Sequence, residues 1–367
     1  MNILIYTPVG SNRSPDMQAQ AELFIGMGHK VILLTWGSDS VLHNNFRALG
    51  ASAFSSVHKK GRSFFFFLRQ AYYLILFCRA HKVDVIFSHL QGNALVAGIA
   101  GPFIKARIFY IRHNADYFAL KGSRKDLWIN RMVNKLSPAI IAISENVKTE
   151  LLKEGVDPKK IIRINLCYHF ENYLLAEITG KQNLIRSQSG GAFVILCIAR
   201  LDNLKRHLLL FETIKQVNEN GYDCSLMCIG EGEKRTELEA WIRKNNMENK
   251  IALHGLVENV ADYILASDIQ VLLSYSEASN QAIKESAFFK KTAIVCRNVG
   301  DFETYIVNNE NGFIVDKENP VPDTVKQIVY FISRPDMVKL FGERLYLSVT
   351  EHFGLAHVKA QYDQLLS

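Results

Sequence analysis

A chain of 367 residues has room for two domains of ordinary size, and 48% hydrophobic residues exclude the disordered and fibrous classes. Its formal charge of +7 is unevenly spread: residues 1–165 carry 22 Lys and Arg against 10 Asp and Glu, and the remainder 21 against 26. The basic first part points to an anionic partner, for which a membrane surface, a lipid-linked phosphate and a nucleic acid are the candidates.

Asn2 to Tyr6 reads as a strand. The start of the chain has no basic leader or cleavage site, so no signal peptide is expected. The turn from Thr7 to Asp16 contains Pro8, Gly10, Ser11 and Asn12, and can bring backbone N–H groups near phosphates. Gln18 to Met27 has helical spacing, Gly28 ends it, and Val31 to Thr35 is the next strand.

Phe64 to Cys78 reads FFFFLRQAYYLILFC, with Lys59, Lys60 and Arg62 before it and Arg69 inside. No apolar run in the chain reaches the roughly 18 residues needed to span a bilayer. Two readings stand for this segment: a buried core helix, or a basic-aromatic helix in peripheral contact with an anionic membrane. Val83–Ser88, Ile108–Ile111, Ala139–Ile143 and Ile161–Asn165 are further strands, so a parallel sheet with helices on both faces is predicted. His113, in Arg112-His113-Asn114, lies at a carboxyl strand end, and Asp116 follows it. Ser144 is placed to cap the next helix.

Residues 166–191 are read as a linker, from the polar stretch Thr179 to Gly191. A second α/β domain is predicted from the strand Phe193–Ala199, a helix His207–Val217, the strand Leu226–Ile229, and a strand and turn over Ile251–Val257. Arg200 and Lys205, five residues apart in the loop after Ala199, suit a diphosphate clamp. Gly230-Glu231-Gly232 is the next turn. Ile269–Leu273, a polar turn Ser274–Asn280, a helix Gln281–Phe289 and the strand Thr292–Cys296 make one β-α-β unit, with Ser279 or Asn280 as helix cap. Its loop and helix N-terminus favour a phosphate. Glu277 and Glu285 would repel that phosphate, so they are expected to accept from sugar hydroxyls; taken alone, each reads as a solvated residue. The six cysteines form no CxxC pair and read as buried free thiols of a reducing compartment, with no metal site expected.

Glu277, Glu285, Val299-Gly300, Glu303 and Asn311-Gly312-Phe313 together resemble the signature of the family 4 retaining glycosyltransferases, whose fold is called GT-B. Arg200-Leu201…Lys205, Gly230-Glu231-Gly232, Ile251 to Val257 and Gly28-His29-Lys30-Val31 match other parts of that family. The chain departs from it at Ala278-Ser279-Asn280, at the lone Gly10, at Ala199 and after Asn165.

The resemblance implies α/β architecture with two Rossmann-like domains facing across a cleft. Residues 1–165 would form the acceptor-side domain and 192–345 the nucleotide-sugar domain, with 346–367 packing back on the first. It implies transfer of a sugar from a UDP- or GDP-linked donor to an acceptor hydroxyl, without metal or cofactor, in surface polysaccharide or lipid-linked glycan synthesis. His113, Glu277, Arg200 and Lys205 are assigned to catalysis. Gly10, Glu231, Leu256, Ser279, Asn280, Gln281 and Glu285 are assigned to donor binding. A cytoplasmic protein at the inner face of the membrane is expected. Two other readings are a non-catalytic subunit of the same fold that binds a partner or membrane, and a nucleotide-sugar epimerase or hydrolase. A nucleic-acid partner is not expected, because no aromatic-basic recognition motif appears and the second part is acidic.

Overall fold

The structure, a computed structural model, describes residues 1–8, 14–56, 64–115, 123–190 and 193–367. It divides into two units: residues 1–169 with 353–367, and residues 170–352.

The apolar runs of the first unit become one parallel sheet. β1 (Asn2–Pro8), β2 (Lys30–Trp36), β3 (Ser52–Ser56), β4 (Val85–His89), β5 (Arg107–Arg112), β6 (Ala139–Ala142) and β7 (Ile161–Arg163) stand in the order β3-β2-β1-β4-β5-β6-β7. The central residues of β1 and β2 are buried without alternation, as two helix-covered faces require. Gly28 ends the first helix at φ +80°, and the His29 N–H returns to the Phe24 carbonyl. Ser144 caps helix Glu145–Lys153 by accepting from the Val147 N–H at 3.1 Å. The strand order reverses between β1 and β4, and such switch points are where open α/β sheets bind ligands.

Helix Phe64–Ala80 has one buried and one exposed face. Ala71, Leu74, Phe77 and Cys78 pack in a core cluster with Leu4, Tyr6 and Ile86. Phe65, Leu68, Tyr72 and Leu76 are exposed on the other side, Phe65 at 80% and Tyr72 at 64%. No described helix is long and apolar enough to cross a membrane. Gly10, Lys59, Lys60, Arg62 and Asp116 lie outside the described residues.

In the second unit, β8 (Phe193–Ile198), β9 (Cys224–Ile229), β10 (Ile251–Gly255), β11 (Ile269–Leu272), β12 (Thr292–Cys296) and β13 (Phe313–Val315) stand in the parallel order β10-β9-β8-β11-β12-β13. The switch point falls between β8 and β11. The third strand ends at Gly255, and Leu256 is exposed on the turn that follows.

Two boundaries differ from those read in the sequence. Residues 166–191 are not a bare linker: helices Phe170–Leu174 and Gln182–Ser187 form there. From Phe170 onward the stretch belongs to the second unit, where the Thr179 N–H donates to Asp262 at 3.1 Å and Arg186 pairs with Asp268 at 3.0 Å. The boundary read at residue 345 falls inside helix Pro335–Phe353, whose Phe341, Leu345 and Val349 are buried, and the division comes at His352. The last helix, Leu355–Leu366, joins the first unit, where Tyr362 accepts from Gln20 Nε2 at 2.7 Å.

Candidate functional site

The loops leaving β8 and β11 flank the switch point of the second unit, and they carry Lys205 and Glu277. Their side chains meet, with Lys205 Nζ 2.5 Å from Glu277 Oε1 and both largely buried. Ser274 Oγ at 2.8 Å and Asn280 Nδ2 at 3.3 Å also donate to that oxygen. The structure thus brings together two residues that lie 72 positions apart in the chain. Gly300 explains why the turn closes on them. It sits at φ +62°, and a Cβ there would stand 2.8 Å from the Glu277 Cβ.

Asn280, not Ser279, caps helix Gln281–Phe288, accepting from the Ile283 N–H at 2.9 Å. The N–H groups of Gln281 and Ala282 fall outside the helix's own bonding pattern, at its positive dipole end. The Ser279 hydroxyl donates to Asp301 at 2.6 Å and accepts from Lys284 at 3.0 Å, so it belongs to the scaffold under the turn. Glu285 is 3% exposed, which overturns its reading as a solvated helix residue, and it accepts from Gln281 Nε2 at 2.6 Å.

Arg200 stands in the loop after β8 with a 65% exposed side chain, 3.2 Å from Asp202. Asp202 caps the short turn Asn203–Lys205 by accepting from the Leu204 and Lys205 N–H groups. Glu231 pairs with Arg235, and its carbonyl accepts from the Leu201 N–H at 3.0 Å. Gly230 and Gly232 press directly on the backbone of Ala199 and Leu201, so this GxG turn serves close backbone approach. The Gly230 N–H continues to the Gly255 carbonyl, beside Leu256. The turns after β8, β9 and β10 are therefore one hydrogen-bonded platform.

In the first unit, His113 follows β5 at the carboxyl edge. Its Nε2 lies 2.9 Å from His89 Nδ1, and His89 Nε2 lies 3.1 Å from Gln20 Oε1. Burial pushes both imidazoles below their ordinary value of 6.5; His89 goes well below, with His113 adding to the fall, while Asp16 pulls His113 partly back. Arg112 is fully buried, bonds Glu154 at 2.7 Å and holds the Asn114 carbonyl at 2.7 Å, which fixes the backbone around His113.

Known families and proteins are similar to this chain. The family described as "Glycosyl transferases group 1" matches residues 182–347, and "Glycosyltransferase Family 4" matches residues 18–167. The chain belongs to the family 4 glycosyltransferases. Among curated relatives, it is 24% identical over 251 residues to an Escherichia coli UDP-Gal:alpha-D-GlcNAc-diphosphoundecaprenol alpha-1,3-galactosyltransferase, covering 65% of this chain and 64% of that one. It is 22% identical over 304 residues to the Bacillus anthracis N-acetyl-alpha-D-glucosaminyl L-malate synthase, covering 77% and 74%. The Anabaena HepE structure in complex with UDP superposes with a TM-score of 0.79 at 15% identity, covering 100% and 99%. The fold is thus GT-B, two Rossmann-like domains.

Within this glycosyltransferase framework the structure adds residues that the sequence reading missed. Lys284 and Asp301 form a fully buried ion pair at 2.7 Å beneath the Ser279–Asn280 turn. Arg206 adopts φ +51°, and its side chain donates to the Leu273 carbonyl at 2.6 Å and the Lys317 carbonyl at 2.7 Å. It ties the loop of Lys205 to the loop of Glu277. A lysine inside an otherwise small-residue helix face was the one available signal for Lys284. For Arg206 there was none, because an Arg in a loop reads as solvated.

Proposed function

We propose that the protein transfers a glycosyl group from a nucleoside diphosphate sugar to an acceptor hydroxyl with retention at the anomeric carbon. The Lys205–Glu277 pair at the switch point carries this reading. A cation and a carboxylate share one small volume there, beside a capped helix N-terminus, so phosphate oxygens and sugar hydroxyls each find a partner of the right kind. Lys205, Arg200 and the N–H groups at Gln281 stabilise the charge that develops on the leaving diphosphate. Glu277 accepts from hydroxyls of the donor sugar, and buried Glu285 from the ribose. His113, held neutral, contacts the sugar by hydrogen bonding. Gly10, Glu231, Leu256 and Asn280 complete the donor set, and Ser279 supports it from the scaffold beneath the turn. The bond from the anomeric carbon to the phosphate oxygen breaks, the acceptor oxygen bonds on the same face, and its proton passes to the departing phosphate. No metal is needed at the diphosphate, because the cations and the helix end supply the positive charge.

The acceptor we assign is a lipid-linked glycan at an anionic membrane. Phe65, Leu68, Tyr72 and Leu76 recur at three- and four-residue spacing on one exposed face of helix Phe64–Ala80, with exposed Arg69 and Arg79 among them. That face suits a bilayer interface, and the basic charge of residues 1–165 complements anionic headgroups. The E. coli relative, by its name, acts on a diphosphoundecaprenol-linked sugar.

The test is a thermal-shift screen against UDP, GDP, ADP, CMP and their sugar conjugates, with and without EDTA. A ligand at about a hundred times its Kd adds about 2.7 kcal/mol. Stabilisation by one nucleoside diphosphate, unchanged by EDTA, supports the reading. No shift with any nucleotide refutes it and favours the non-catalytic alternative.

A further inference from the structure

Three buried residues that the donor site does not use converge beneath it. Cys197 in β8 and Cys228 in β9 are direct partners in the parallel register. His207 opens helix His207–Glu219, immediately after the loop of Arg200 and Lys205. The two sulfurs and a His207 ring nitrogen lie within 4.8 Å of one another. Among the described residues, neither His207 nitrogen has a hydrogen-bond partner, although the residue is only 3% exposed. A buried imidazole aimed at sulfur, with nothing else to bond, is an unusual thing for a core to hold.

We propose that Cys197, Cys228 and His207 form a binding site for one thiophilic cation, with Zn²⁺ as its occupant. Two sulfurs and one imidazole are the donors that such an ion selects. Zn–S bonds near 2.3 Å and Zn–N bonds near 2.0–2.1 Å put tetrahedral ligand atoms about 3.5–3.8 Å apart, which a small closure of this cluster reaches. Binding releases the two thiol protons, so two thiolates and one Zn²⁺ leave the buried site without net charge. Three protein ligands leave a fourth position for a small molecule. A cavity of about 210 Å³ bordered by His207, Asp202, Asn203 and Arg206 lies next to the ring.

The ion fastens both ends of the Arg200–Lys205 loop, Cys197 before it and His207 after it, to the neighbouring strand. Its role is to position the loop, and it stays away from the diphosphate. The site stands on its own geometry, so its test is independent of the glycosyl-transfer reading.

The experiment uses the untagged full chain, purified reduced and stripped of metal, then titrated with Co²⁺ followed by Zn²⁺. One equivalent of Co²⁺ gives a thiolate-to-cobalt charge-transfer band with intense d–d bands, displaced by one equivalent of Zn²⁺. About two protons are released per ion. Cys197→Ala or Cys228→Ala abolishes the band, and Cys224→Ala leaves it intact. Where the cysteine variants do not fold, His207→Gln serves, with Zn²⁺ affinity reduced at least tenfold. A folded wild-type protein without the band overturns the proposal. So does a band that survives Cys228→Ala, unaltered Zn²⁺ affinity in His207→Gln, or a Cys197–Cys228 disulfide in protein purified without oxidant.

Discussion

Replacing Lys205 with Met separates two roles that the site geometry joins. Lys205 Nζ donates to Glu277 at 2.5 Å, with side chains 12% and 9% exposed. In Lys205→Met the carboxylate keeps Ser274 and Asn280 as donors. The folding penalty therefore stays near 1–2 kcal/mol, below the 3–5 kcal/mol of a fully buried pair that loses one partner. Nucleotide binding loses a charge-assisted bond to phosphate, about 1.5–3 kcal/mol, or roughly ten- to a hundredfold in the Kd of UDP or the preferred nucleotide. Glu277→Gln has the opposite signature. It removes negative charge beside the diphosphate and frees Lys205, so the bare nucleotide binds at least as tightly while turnover with the sugar donor falls. Calorimetric titration of both variants, with urea unfolding as the stability control, reads the two effects apart. Unchanged nucleotide affinity in Lys205→Met together with lost affinity in Glu277→Gln would refute this division of roles.

Lys284→Met leaves Asp301 buried with the Ser279 hydroxyl as its remaining polar partner, and should lower stability by about 3–5 kcal/mol, or roughly 6–20 °C in Tm for a unit of this size. A loss under about 1 kcal/mol in a melt would show that the pair does not hold the turn. Gly300→Ala forces a side chain into φ +62° and against Glu277, so kcat/KM should fall along with a stability loss of about 1–2 kcal/mol; wild-type kinetics would contradict this close packing. His89 is neutral in the folded protein and charges more readily when unfolded, so its contribution to stability is intact above pH 6.5 and is lost as pH falls from there toward the depressed folded value. Melts between pH 7.5 and 5 should slope less in His89→Gln than in wild type, and an identical slope would count against the buried neutral pair. Phe65→Ser/Tyr72→Ser should cut binding to phosphatidylglycerol vesicles at least tenfold in flotation while leaving Tm within a few degrees, because each exposed aromatic contributes about 1.5–3 kcal/mol when buried; undiminished binding would place the membrane contact elsewhere.

What could be read from the sequence follows the physics of each signal. Strands buried on both faces leave continuous apolar runs, so β1, β2, β8, β11 and β12 were placed to within a residue or two at each end. Edge strand β3, Ser-Ala-Phe-Ser-Ser, has no such run and was not seen. Glu277 and Lys205 were chosen from a family pattern, yet nothing local says that they touch. Their pairing depends on sheet order, which only the fold supplies. Lys284, Asp301 and Arg206 were missed for one shared reason. A charged residue is read as solvated unless its partner is known; Asp301 lies 17 positions from Lys284, and the Leu273 carbonyl 67 from Arg206. Cys197 and Cys228 likewise show no sequence spacing that marks a cluster, because strand pairing sets them side by side.

The second unit's edge is stiffened from three directions. Gly230 and Gly232 let the turn after β9 press against the Ala199–Leu201 backbone. Arg206 ties the same loop to the carbonyls of Leu273 and Lys317, and the Tyr275 N–H donates to the Leu204 carbonyl at 2.7 Å. Lys284 and Asp301 brace the Ser279–Asn280 turn from below. Holding an ammonium against a carboxylate in a largely buried place is costly unless the surroundings fix both, and these ties fix both. Fixed charges need little reorganisation when a leaving diphosphate develops negative charge, and that is where electrostatic stabilisation contributes most to rate. A site for turnover benefits from such stiffness more than a docking subunit does. The scaffold under Lys205 and Glu277 therefore argues for catalysis independently of the family resemblance.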